Sequence, residues 1–396
     1  MSESLWPDLS GKTVLQVIPD LSAGGAERTT VEMAEAITQA GGRALVVSEG
    51  GRLEANLRLA GGELIAMDVA SKNPITVRNN AKRLEALIRE EDVDLIHARS
   101  RAPAWSAYEA AQRTGIAFVT TYHGAYSGET GLKKRYNSVM AKGDLVIANS
   151  EWTAAHVVEM HETPADKIIT IPRGVDFAAF DPDKVSPARI EAIRTAWGIA
   201  PDDTRVRLVL PGRLTSWKGQ GLAIEALGAL GPGERAGLHL ILPGDAQGRD
   251  RYVRELEDAI ITHELGGTVS IVGHTDDMPA AYALSDIVVA PSTRPEAFGR
   301  VAAEASAMAK PVIVADHGGQ RETVIEGQTG TRAEPGSVTA LTACIRTLVT
   351  LRPEARAAMG AAGQAHVREN YSKKQLQTAT LGVYARLLQN NDIVEN

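Results

Sequence analysis

The sequence predicts an α/β protein built from two doubly wound domains, each with a mostly parallel sheet. At 396 residues the chain is long for one hydrophobic core and natural for two. Short apolar runs alternate with amphipathic helical stretches, as parallel sheets covered by helices on both faces require. A stretch near 177–187 has neither helical nor strand periodicity and divides these runs into two arrays. We therefore predict an interdomain linker there.

The apolar runs that we interpret as strands are short, and several are rich in β-branched residues. In the first array they lie at 14–18, 44–47, 95–97, 118–121, 145–148 and 168–171. In the second array they lie at 208–210, 238–242, 269–272, 287–290 and 312–315. The predicted domains span 1–180 and 188–373. The last helical stretch, about 374–396, is predicted to pack back on the first domain.

Composition and charge argue against several classes of function. The formal net charge of −7 argues against nucleic acid as the main partner. The N-terminus lacks the basic start and apolar core of a secretory signal, and no apolar run reaches the roughly 20 residues of a membrane helix. The single cysteine, Cys344, excludes disulfides within the chain and fits a reducing cytosol. We therefore expect a cytoplasmic protein. No cluster of cysteine and histidine residues has the spacing of zinc ligands, so we predict no metal site.

The segment Arg294-Pro-Glu-Ala-Phe-Gly-Arg-Val-Ala-Ala-Glu304 is the first candidate binding site. It follows an apolar run and leads into an Ala-rich helix, and ligands of open α/β sheets bind outside the carboxyl ends of strands. Glu296 falls in the loop and Glu304 lies inside the helix. Phe298 and Gly299 lie near the helix start, where unpaired backbone N–H groups attract anions. Taken alone, the two acids are more simply a solvated loop acid and a helix-surface acid.

A basic pair in the same half changes that balance. After the run 208–210 the chain reads Pro-Gly-Arg213-Leu-Thr-Ser-Trp-Lys218-Gly and then becomes helical. Arginine offers a planar fork for a phosphate and lysine a mobile point charge, so both side chains can converge on one anion. Two solvated surface cations are the alternative interpretation. Two cations and a helix dipole aimed at one spot would stabilise a departing diphosphate.

Four motifs in this order resemble the retaining GT-B glycosyltransferases of family 4. They are Gly24-Gly25-Ala-Glu27, His123 after a mid-domain strand, Gly212-Arg213 with Lys218-Gly219, and the Glu-x₇-Glu pair of Glu296 and Glu304. The match runs from about residue 13 to residue 371. The resemblance implies two Rossmann-like domains that face a cleft, the first binding the acceptor and the second binding the nucleotide-sugar donor.

The resemblance also implies roles in donor binding. Arg213 and Lys218, after Gly212, would bind the nucleotide diphosphate and neutralise the leaving group. Glu304 would accept hydrogen bonds from the ribose hydroxyls, and Glu296 would orient the donor sugar. The remaining donor contacts would be backbone atoms of Val272 for the base and of Phe298 and Gly299 for the phosphate and sugar. No metal or other cofactor is implied.

In the first half the resemblance implies three further contacts. His123 would touch the transferred sugar across the cleft, and Gly24 and Gly25 would allow close approach of donor and acceptor. Alternatively, His123 is an interior histidine whose ring nitrogens form hydrogen bonds within the protein. Glu27 belongs to the same motif as Gly24 and Gly25, but its carboxylate can equally be explained as complementing the dipole of its own helix.

Three arginines depart from the family pattern or add charge to the loops of the first half. The usual Asn of the Pro-x-Gly-Val-Asp loop is Arg173, and the frequent His-x-His after the third strand reads His97-Ala-Arg99, with Arg101 close behind. We hypothesise that Arg99, Arg101 and Arg173 bind an anionic acceptor, such as a phosphorylated or acidic oligosaccharide. The run 97–105 resembles glycosyltransferases of bacterial lipopolysaccharide core assembly, which would make the acceptor a cell-envelope glycan or glycolipid.

The basic segment 132–142 suggests a peripheral membrane contact. Leu132, Tyr136 and Val139 recur at helical spacing among lysines and an arginine. Attraction to the anionic inner face of the plasma membrane is one interpretation. An ordinary amphipathic helix is the other.

Other functions stay open at this point. A nucleotide-sugar epimerase or a phosphorylase would use the same fold. A nicotinamide-dependent oxidoreductase is disfavoured because no Gly-x-Gly-x-x-Gly follows a candidate strand. A non-catalytic sugar-nucleotide-binding subunit is disfavoured by the intact charged residues. GDP-mannose, UDP-glucose and UDP-hexosamines all fit as donors.

Overall fold

A computed structural model describes residues 6–22, 24–124, 126 and 130–394. The chain forms two compact units, Met1–Gly174 with Lys373–Asn396, and Val175–Ser372. Each unit is built around one parallel sheet with apolar clusters on both of its faces. The predicted α/β class with two doubly wound domains is confirmed.

The sheet of the first unit has seven parallel strands. They are β1 (Thr13–Val17), β2 (Arg43–Ser48), β3 (Glu63–Ala66), β4 (Leu95–Ala98), β5 (Ala117–Tyr122), β6 (Leu145–Ala148) and β7 (Ile168–Thr170). Their order in the sheet is β3-β2-β1-β4-β5-β6-β7. The winding direction therefore reverses between β1 and β4, and this switch point is where open α/β sheets bind ligands.

Helices cover both faces of this sheet because the strands are apolar on both sides. One face packs against α1 (Gly25–Gln39), α2 (Glu54–Leu59) and the final helix α15 (Lys373–Val394). The other face packs against α3 (Pro74–Glu90), α4 (Arg101–Thr114) and α6 (Glu151–His161), with the short α5 (Gly131–Asn137) leading into a 3₁₀ turn, Ser138–Ala141.

The final helix belongs to the first unit, as the sequence predicted. It buries Leu376, Leu381 and Tyr384 in the same apolar cluster as α1. The Tyr384 hydroxyl lies 2.6 Å from Nδ1 of the fully buried His97 on β4. Helix α15, which is 22 residues long, is therefore fixed to the sheet by both apolar packing and a buried hydrogen bond.

The sheet of the second unit has six parallel strands. They are β8 (Val206–Val209), β9 (Leu238–Pro243), β10 (Val269–Gly273), β11 (Ile287–Ala290), β12 (Val312–Ala315) and β13 (Gly330–Ala333), in the order β10-β9-β8-β11-β12-β13. The reversal falls between β8 and β11. The loops after these two strands carry the predicted basic pair and Glu296.

The helices of the second unit form one layer on each face of the sheet. One layer holds α7 (Pro187–Ala196), α11 (Met278–Leu284), α12 (Arg300–Ala307) and α14 (Pro353–Asn370). The other holds α8 (Gln220–Gly228), α10 (Asp250–Thr262) and α13 (Val338–Thr350), and the one-turn α9 (Pro232–Arg235) follows α8.

Two strands were missing from the sequence prediction, β3 and β13. Both are the edge strands next to β2 and β12. β3 is partly exposed along its length, and β13 reads Gly-Thr-Arg-Ala. An edge strand has one neighbour and needs no continuous apolar run, so composition alone does not reveal it.

Candidate active site

Lys218 and Glu296 form an ion pair at the switch point of the second unit. Lys218 ends a 3₁₀ turn, Ser216–Lys218, after β8, and Glu296 lies in the loop between β11 and α12. The Lys218 Nζ donates to Glu296 Oε1 at 2.9 Å, and the two side chains are only 15% and 16% exposed. The Ser292 hydroxyl donates to the same carboxylate oxygen. Two residues 78 positions apart in sequence are thus brought together by the strand order.

The carboxyl of Glu296 is held ionised by this arrangement. Burial by itself would raise its pKa, but the charge of Lys218 and the hydrogen bond from Ser292 outweigh burial and hold the pKa below its usual value. The Lys218 ammonium also lies 4.6 Å from the centre of the Trp217 ring. The pair is therefore a preorganised carboxylate and ammonium in a poorly solvated position.

Arg213 stands apart from this pair. Its side chain is exposed, and within the described residues its guanidinium has no hydrogen bond or ion pair. Its backbone carbonyl accepts from Gln220 Nε2 at 3.0 Å, which ties the loop to the start of α8. The guanidinium is therefore available to an anion, while its backbone is fixed.

Glycines let the loops of the switch point approach one another closely. A Cβ on Gly244, after β9, would lie 2.0 Å from the Gly212 carbonyl oxygen. A Cβ on Gly219 would lie 2.4 Å from the Pro291 carbonyl oxygen, and its φ of +85° also disfavours side chains. The loops after β8, β9 and β11 are therefore in backbone contact at one edge of the sheet.

The loop after β12 fixes Glu296 from the other side. The Gly319 N–H donates to the Glu296 carbonyl at 2.7 Å, and a Cβ on Gly318 would lie 2.6 Å from that same oxygen. His317 Nε2 lies 2.8 Å from the Ser292 carbonyl oxygen. His317 was not predicted. The signal that the sequence offered was its position in the loop after a strand, two residues beyond the strand's end.

The remaining predicted donor residues lie around α12 and β10. Glu304 is 9% exposed and accepts from Arg300 Nε at 3.1 Å and from the Tyr282 hydroxyl at 3.4 Å. The Phe298 ring is buried against Tyr371, so only its backbone faces the loop edge. Two other predicted positions, Gly299 and Val272, are the N-cap of α12 and a residue near the end of β10.

His123 lies at the carboxyl end of β5 in the first unit. Its Nδ1 faces Arg173 Nη2 at 3.0 Å and Asn149 Nδ2 at 3.3 Å, and both of these groups are donors. Nδ1 therefore accepts, and in the neutral ring the proton is on Nε2. In the described part of the chain, Nε2 is buried with no partner. Burial, helped by the charges of Arg173 and Arg99, holds the pKa of His123 well below 6.5.

A small cavity adjoins this histidine. Its volume of about 10 Å³ admits one water-sized sphere. Its polar lining includes His123, Asn149, Arg173, Arg99, Thr29 and Thr380. The structure therefore gathers two cations and a neutral N–H donor at the switch-point edge of the first unit, in a space too small for a sugar.

The three arginines predicted to bind an acceptor lie in different environments. Arg99 is 2% exposed, and its Nε and Nη2 donate to Gln16 Oε1 at 2.9 and 2.6 Å. Arg101 lies 4.0 Å from the centre of the Tyr126 ring and donates to Asn137 Oδ1 at 2.9 Å. Arg173 contacts His123. The acceptor role of each remains a prediction.

The Gly24-Gly25 motif begins helix α1. Gly24 is its N-cap, with extended backbone angles, and Gly25 is its first residue. A Cβ on Gly24 would lie 2.0 Å from Glu27 Oε2, so this carboxylate folds back over the helix start. The contact fits the interpretation in which Glu27 complements the dipole of its own helix.

Neither a metal site nor a membrane span was found in the described parts of the chain. No group of three or more histidine, cysteine, aspartate or glutamate side chains among those residues is placed to hold a metal ion. None of the described helices is both long and apolar enough to cross a bilayer.

Two Rossmann-like units of this kind are typical of the GT-B class of glycosyltransferases. The family model described as Glycosyltransferase Family 4 matches residues 23–179, and the model described as Glycosyl transferases group 1 matches residues 192–366. The chain belongs to the GT-B glycosyltransferases of the family-4 type, and it is therefore a glycosyltransferase enzyme.

Two solved structures and one sequence relative support this assignment. A glycosyltransferase from Rickettsia africae ESF-5 is 34% identical, with a TM-score of 0.86 over 96% of this chain and 99% of that chain. Anabaena Alr3699/HepE, solved in complex with UDP, is 25% identical, with a TM-score of 0.81 over 95% and 100%. D-inositol 3-phosphate glycosyltransferase from Xylanimonas cellulosilytica is 28% identical over 321 residues, which are 77% of this chain and 74% of the relative.

Proposed function

We propose that the protein transfers a hexose from a nucleotide-diphosphate sugar to a cell-envelope glycan or glycolipid, with retention of configuration at the anomeric carbon. The observation that carries this proposal is the mostly buried Lys218–Glu296 ion pair. Arg213, in the same loop as Lys218, supplies an exposed guanidinium that has no hydrogen bond or ion pair with the described residues. A UDP complex of the Anabaena relative supports a nucleotide-diphosphate donor. We place the donor on the second unit and the acceptor on the first.

The second unit would act on the leaving group. Arg213 and Lys218 would neutralise the diphosphate as the bond to the anomeric carbon breaks, with the start of α12 adding backbone N–H groups. Because Glu296 remains ionised, it would accept from a hydroxyl of the donor sugar while holding Lys218 in place. Glu304 would accept from the ribose. We expect no metal requirement, since these two cations supply the neutralising charge.

The chemical step would need no further catalytic carboxylate. The acceptor hydroxyl would attack the anomeric carbon from the side of the departing diphosphate, forming the new C–O bond as the old one breaks. A leaving phosphate oxygen would take the hydroxyl proton. His123, a neutral Nε2–H donor, would contact an oxygen of the transferred sugar.

The acceptor would carry negative charge. Arg173 and Arg99 border the same cavity as His123, and none of the described side chains that line this cavity is acidic. The name of the Xylanimonas relative includes D-inositol 3-phosphate, a phosphorylated compound. We propose lipopolysaccharide core as the acceptor class, and a reaction in the cytoplasm at the inner face of the plasma membrane. The donor is GDP-mannose or a UDP-sugar.

Nucleotide binding tests the donor site directly. We expect UDP or GDP to raise the melting temperature of the wild type, because a ligand at 100 times its Kd stabilises by about 2.7 kcal/mol. Arg213→Ala and Lys218→Ala should each lower turnover by roughly 10²–10³, about 3–4 kcal/mol of transition-state stabilisation. Arg251→Ala, an exposed cation on α10, is the matched control.

The outcomes separate the alternatives. Near-wild-type turnover in Arg213→Ala would refute the diphosphate assignment. Among the described residues this side chain has no hydrogen bond or ion pair whose loss would confuse the result. Consumption of the donor sugar to an epimer without an acceptor would favour an epimerase. Nuclear magnetic resonance of the product reads the anomeric configuration and decides retention.

A further inference from the structure

Two large aliphatic side chains of the first unit are exposed beside clusters of cations. Ile75, near the start of α3, is 73% exposed, and Leu132, near the start of α5, is 83% exposed. Solvated aliphatic side chains on their own need no explanation. Their position among cations distinguishes these two from Leu59, which is 88% exposed beside an Arg58–Glu54 pair.

The first cluster lies along the exposed face of α3. No aspartate or glutamate occurs between Asp68 and Glu85. The four cations in this interval, all exposed, are Lys72, Arg78, Lys82 and Arg83. Ile75, Arg78 and Lys82 are three and four residues apart, so they share one face of the helix. The result is a basic stripe that begins with an exposed isoleucine.

The second cluster lies on α5 and the turn after it. No acidic residue occurs between Glu129 and Asp144. The four exposed cations in this interval are Lys133, Lys134, Arg135 and Lys142. Three of them directly follow Leu132. This cluster has the same composition as the first, a solvated aliphatic side chain next to cations that form no ion pair with the described residues.

Helix α4 brings the two clusters onto one surface. The Ser106 hydroxyl of α4 donates to the Val77 carbonyl of α3 at 2.9 Å. The neighbouring Trp105 Nε1 donates to the Tyr136 carbonyl of α5 at 3.1 Å. The first turn of α3 and the last turn of the short α5 therefore contact adjacent residues of α4. We name this the α3–α5 surface, formed by Lys72, Ile75, Arg78, Lys82, Leu132, Lys133, Lys134 and Arg135.

The nearest acids on these helices do not neutralise the surface. Glu85 of α3 accepts from Arg89 at 3.0 Å and from Arg113 at 3.2 Å. Glu109 of α4 pairs with Arg113. These carboxylates lie toward the opposite ends of α3 and α4 and have their own arginines. No carboxylate in the described part of the chain therefore forms an ion pair with the cations of the α3–α5 surface, although the whole chain carries −7.

We propose that the α3–α5 surface docks on an anionic lipid bilayer, with Ile75 and Leu132 entering the headgroup region. Lysines and arginines near an anionic leaflet each strengthen binding about fivefold, and aliphatic side chains next to them add buried apolar area. A second copy of the chain fits poorly, because a symmetric contact would place cations against cations. Nucleic acid fits poorly with the overall negative charge.

The location of the surface indicates what docking would bring close to the bilayer. Helices α3 and α4 follow β3 and β4, so their first turns lie at the carboxyl edge of the sheet, and Arg101 at the start of α4 donates to Asn137 at the end of α5. His123 and its cavity lie at that same edge. Docking would hold this edge against the bilayer, where a lipid-linked substrate is anchored. The inference concerns binding alone and does not depend on the proposed reaction.

Vesicle sedimentation tests the proposal. The full-length protein should pellet with phosphatidylglycerol-containing phosphatidylcholine vesicles and remain soluble with pure phosphatidylcholine. Lys133→Gln/Lys134→Gln and Arg78→Gln/Lys82→Gln should each weaken the partition coefficient about 30-fold, as two lost cations predict. Leu132→Ser and Ile75→Ser should also weaken it. Salt near 1 M should release the wild type, because the screening length falls to about 3 Å.

Matched controls separate docking from general adsorption. Leu59→Ser removes an equally exposed leucine from the same unit, and Arg251→Gln/Arg254→Gln removes two exposed cations of α10. Both should bind as the wild type does, and all variants should keep the wild-type melting temperature. Equal binding to neutral and anionic vesicles would overturn the proposal. It would also be overturned if the α5 variants weakened the partition coefficient and the α3 variants did not. If the wild type forms a dimer in the absence of lipid, and Leu132→Ser abolishes that dimer, the surface would instead bind a second copy of the chain.

Discussion

At the scale of single residues, Lys218 and Glu296 are held by each other. Their ion pair, at 2.9 Å, fixes both side chains that were predicted as separate contacts to a donor. Arg99 and Arg173 were predicted together as acceptor ligands. Arg99 is held by Gln16 inside the unit, and Arg173 donates to His123. Arg99 is more deeply buried than Arg173, because Arg99 packs between β4 and β1, whereas Arg173 lies in the loop after β7.

The surroundings of the fully buried His97 and the partly buried His123 in the first unit favour the neutral form of each. His97 is fully buried between the hydroxyls of Tyr384 and Thr121, at 2.6 and 2.7 Å. Burial, with the charge of Arg99, holds the pKa of His97 well below 6.5, and burial with the nearby arginines does the same for His123. Below pH 6.5 the unfolded chain therefore binds protons that the folded chain does not.

We expect the free energy of unfolding to decrease as the pH falls below about 6.5, by up to about 1.4 kcal/mol per pH unit for each of these histidines. The penalty should be absent above about pH 7. Urea unfolding at pH 7.5 and 5.5 measures it. His97→Gln should reduce the difference between the two pH values, and His274→Gln, an exposed histidine, should not. Parallel pH profiles of wild type and His97→Gln would contradict the assignment.

At the scale of elements, the strand order of the second unit decides which loops meet. The reversal between β8 and β11 places the Arg213–Lys218 loop beside the Glu296 loop. Gly244, after β9, completes the group because a side chain there would overlap the Gly212 carbonyl. The sequence indicated each loop as a strand end, but not that the three are in backbone contact.

Gly244→Ala should therefore disturb the site. We expect a loss of about 1–3 kcal/mol in the free energy of unfolding, typical of overpacking, together with weaker nucleotide binding as the Arg213 loop moves. Denaturant unfolding and nucleotide titration measure the two effects. Gly266→Ala is the control, because its Cβ would meet nothing within 4 Å. Similar behaviour of the two variants would show that the close approach has no role.

At the scale of the whole molecule, the chain's end completes the first unit. Helix α15 contributes five side chains to that unit's apolar cluster, namely Leu376, Leu381, Val383, Tyr384 and Leu388. Each is 5% exposed or less. At about 1.5–3 kcal/mol per buried side chain, the helix contributes on the order of 10 kcal/mol, as much as the net stability of a typical domain.

A chain that ends at Ser372 should keep a folded second unit and lose the first. We expect amide hydrogen exchange to become fast in β1–β7, while β8–β13 stay protected and nucleotide still stabilises them. A chain that ends at Gln389 keeps all five side chains and should exchange like the wild type. Protection of β1–β7 without α15 would refute the dependence.

The sequence by itself determined the fold class, the two arrays of strands and the loops that carry the site. It did so because parallel strands buried on both faces need continuous apolar runs, and such runs are visible without neighbours. The edge strands β3 and β13 lack them and escaped prediction. Only the tertiary structure decided that Lys218 contacts Glu296, that His123 is a neutral Nε2–H donor, and that α3 and α5 share a basic surface. Each of these depends on contacts between residues distant in sequence, which strand order and packing create.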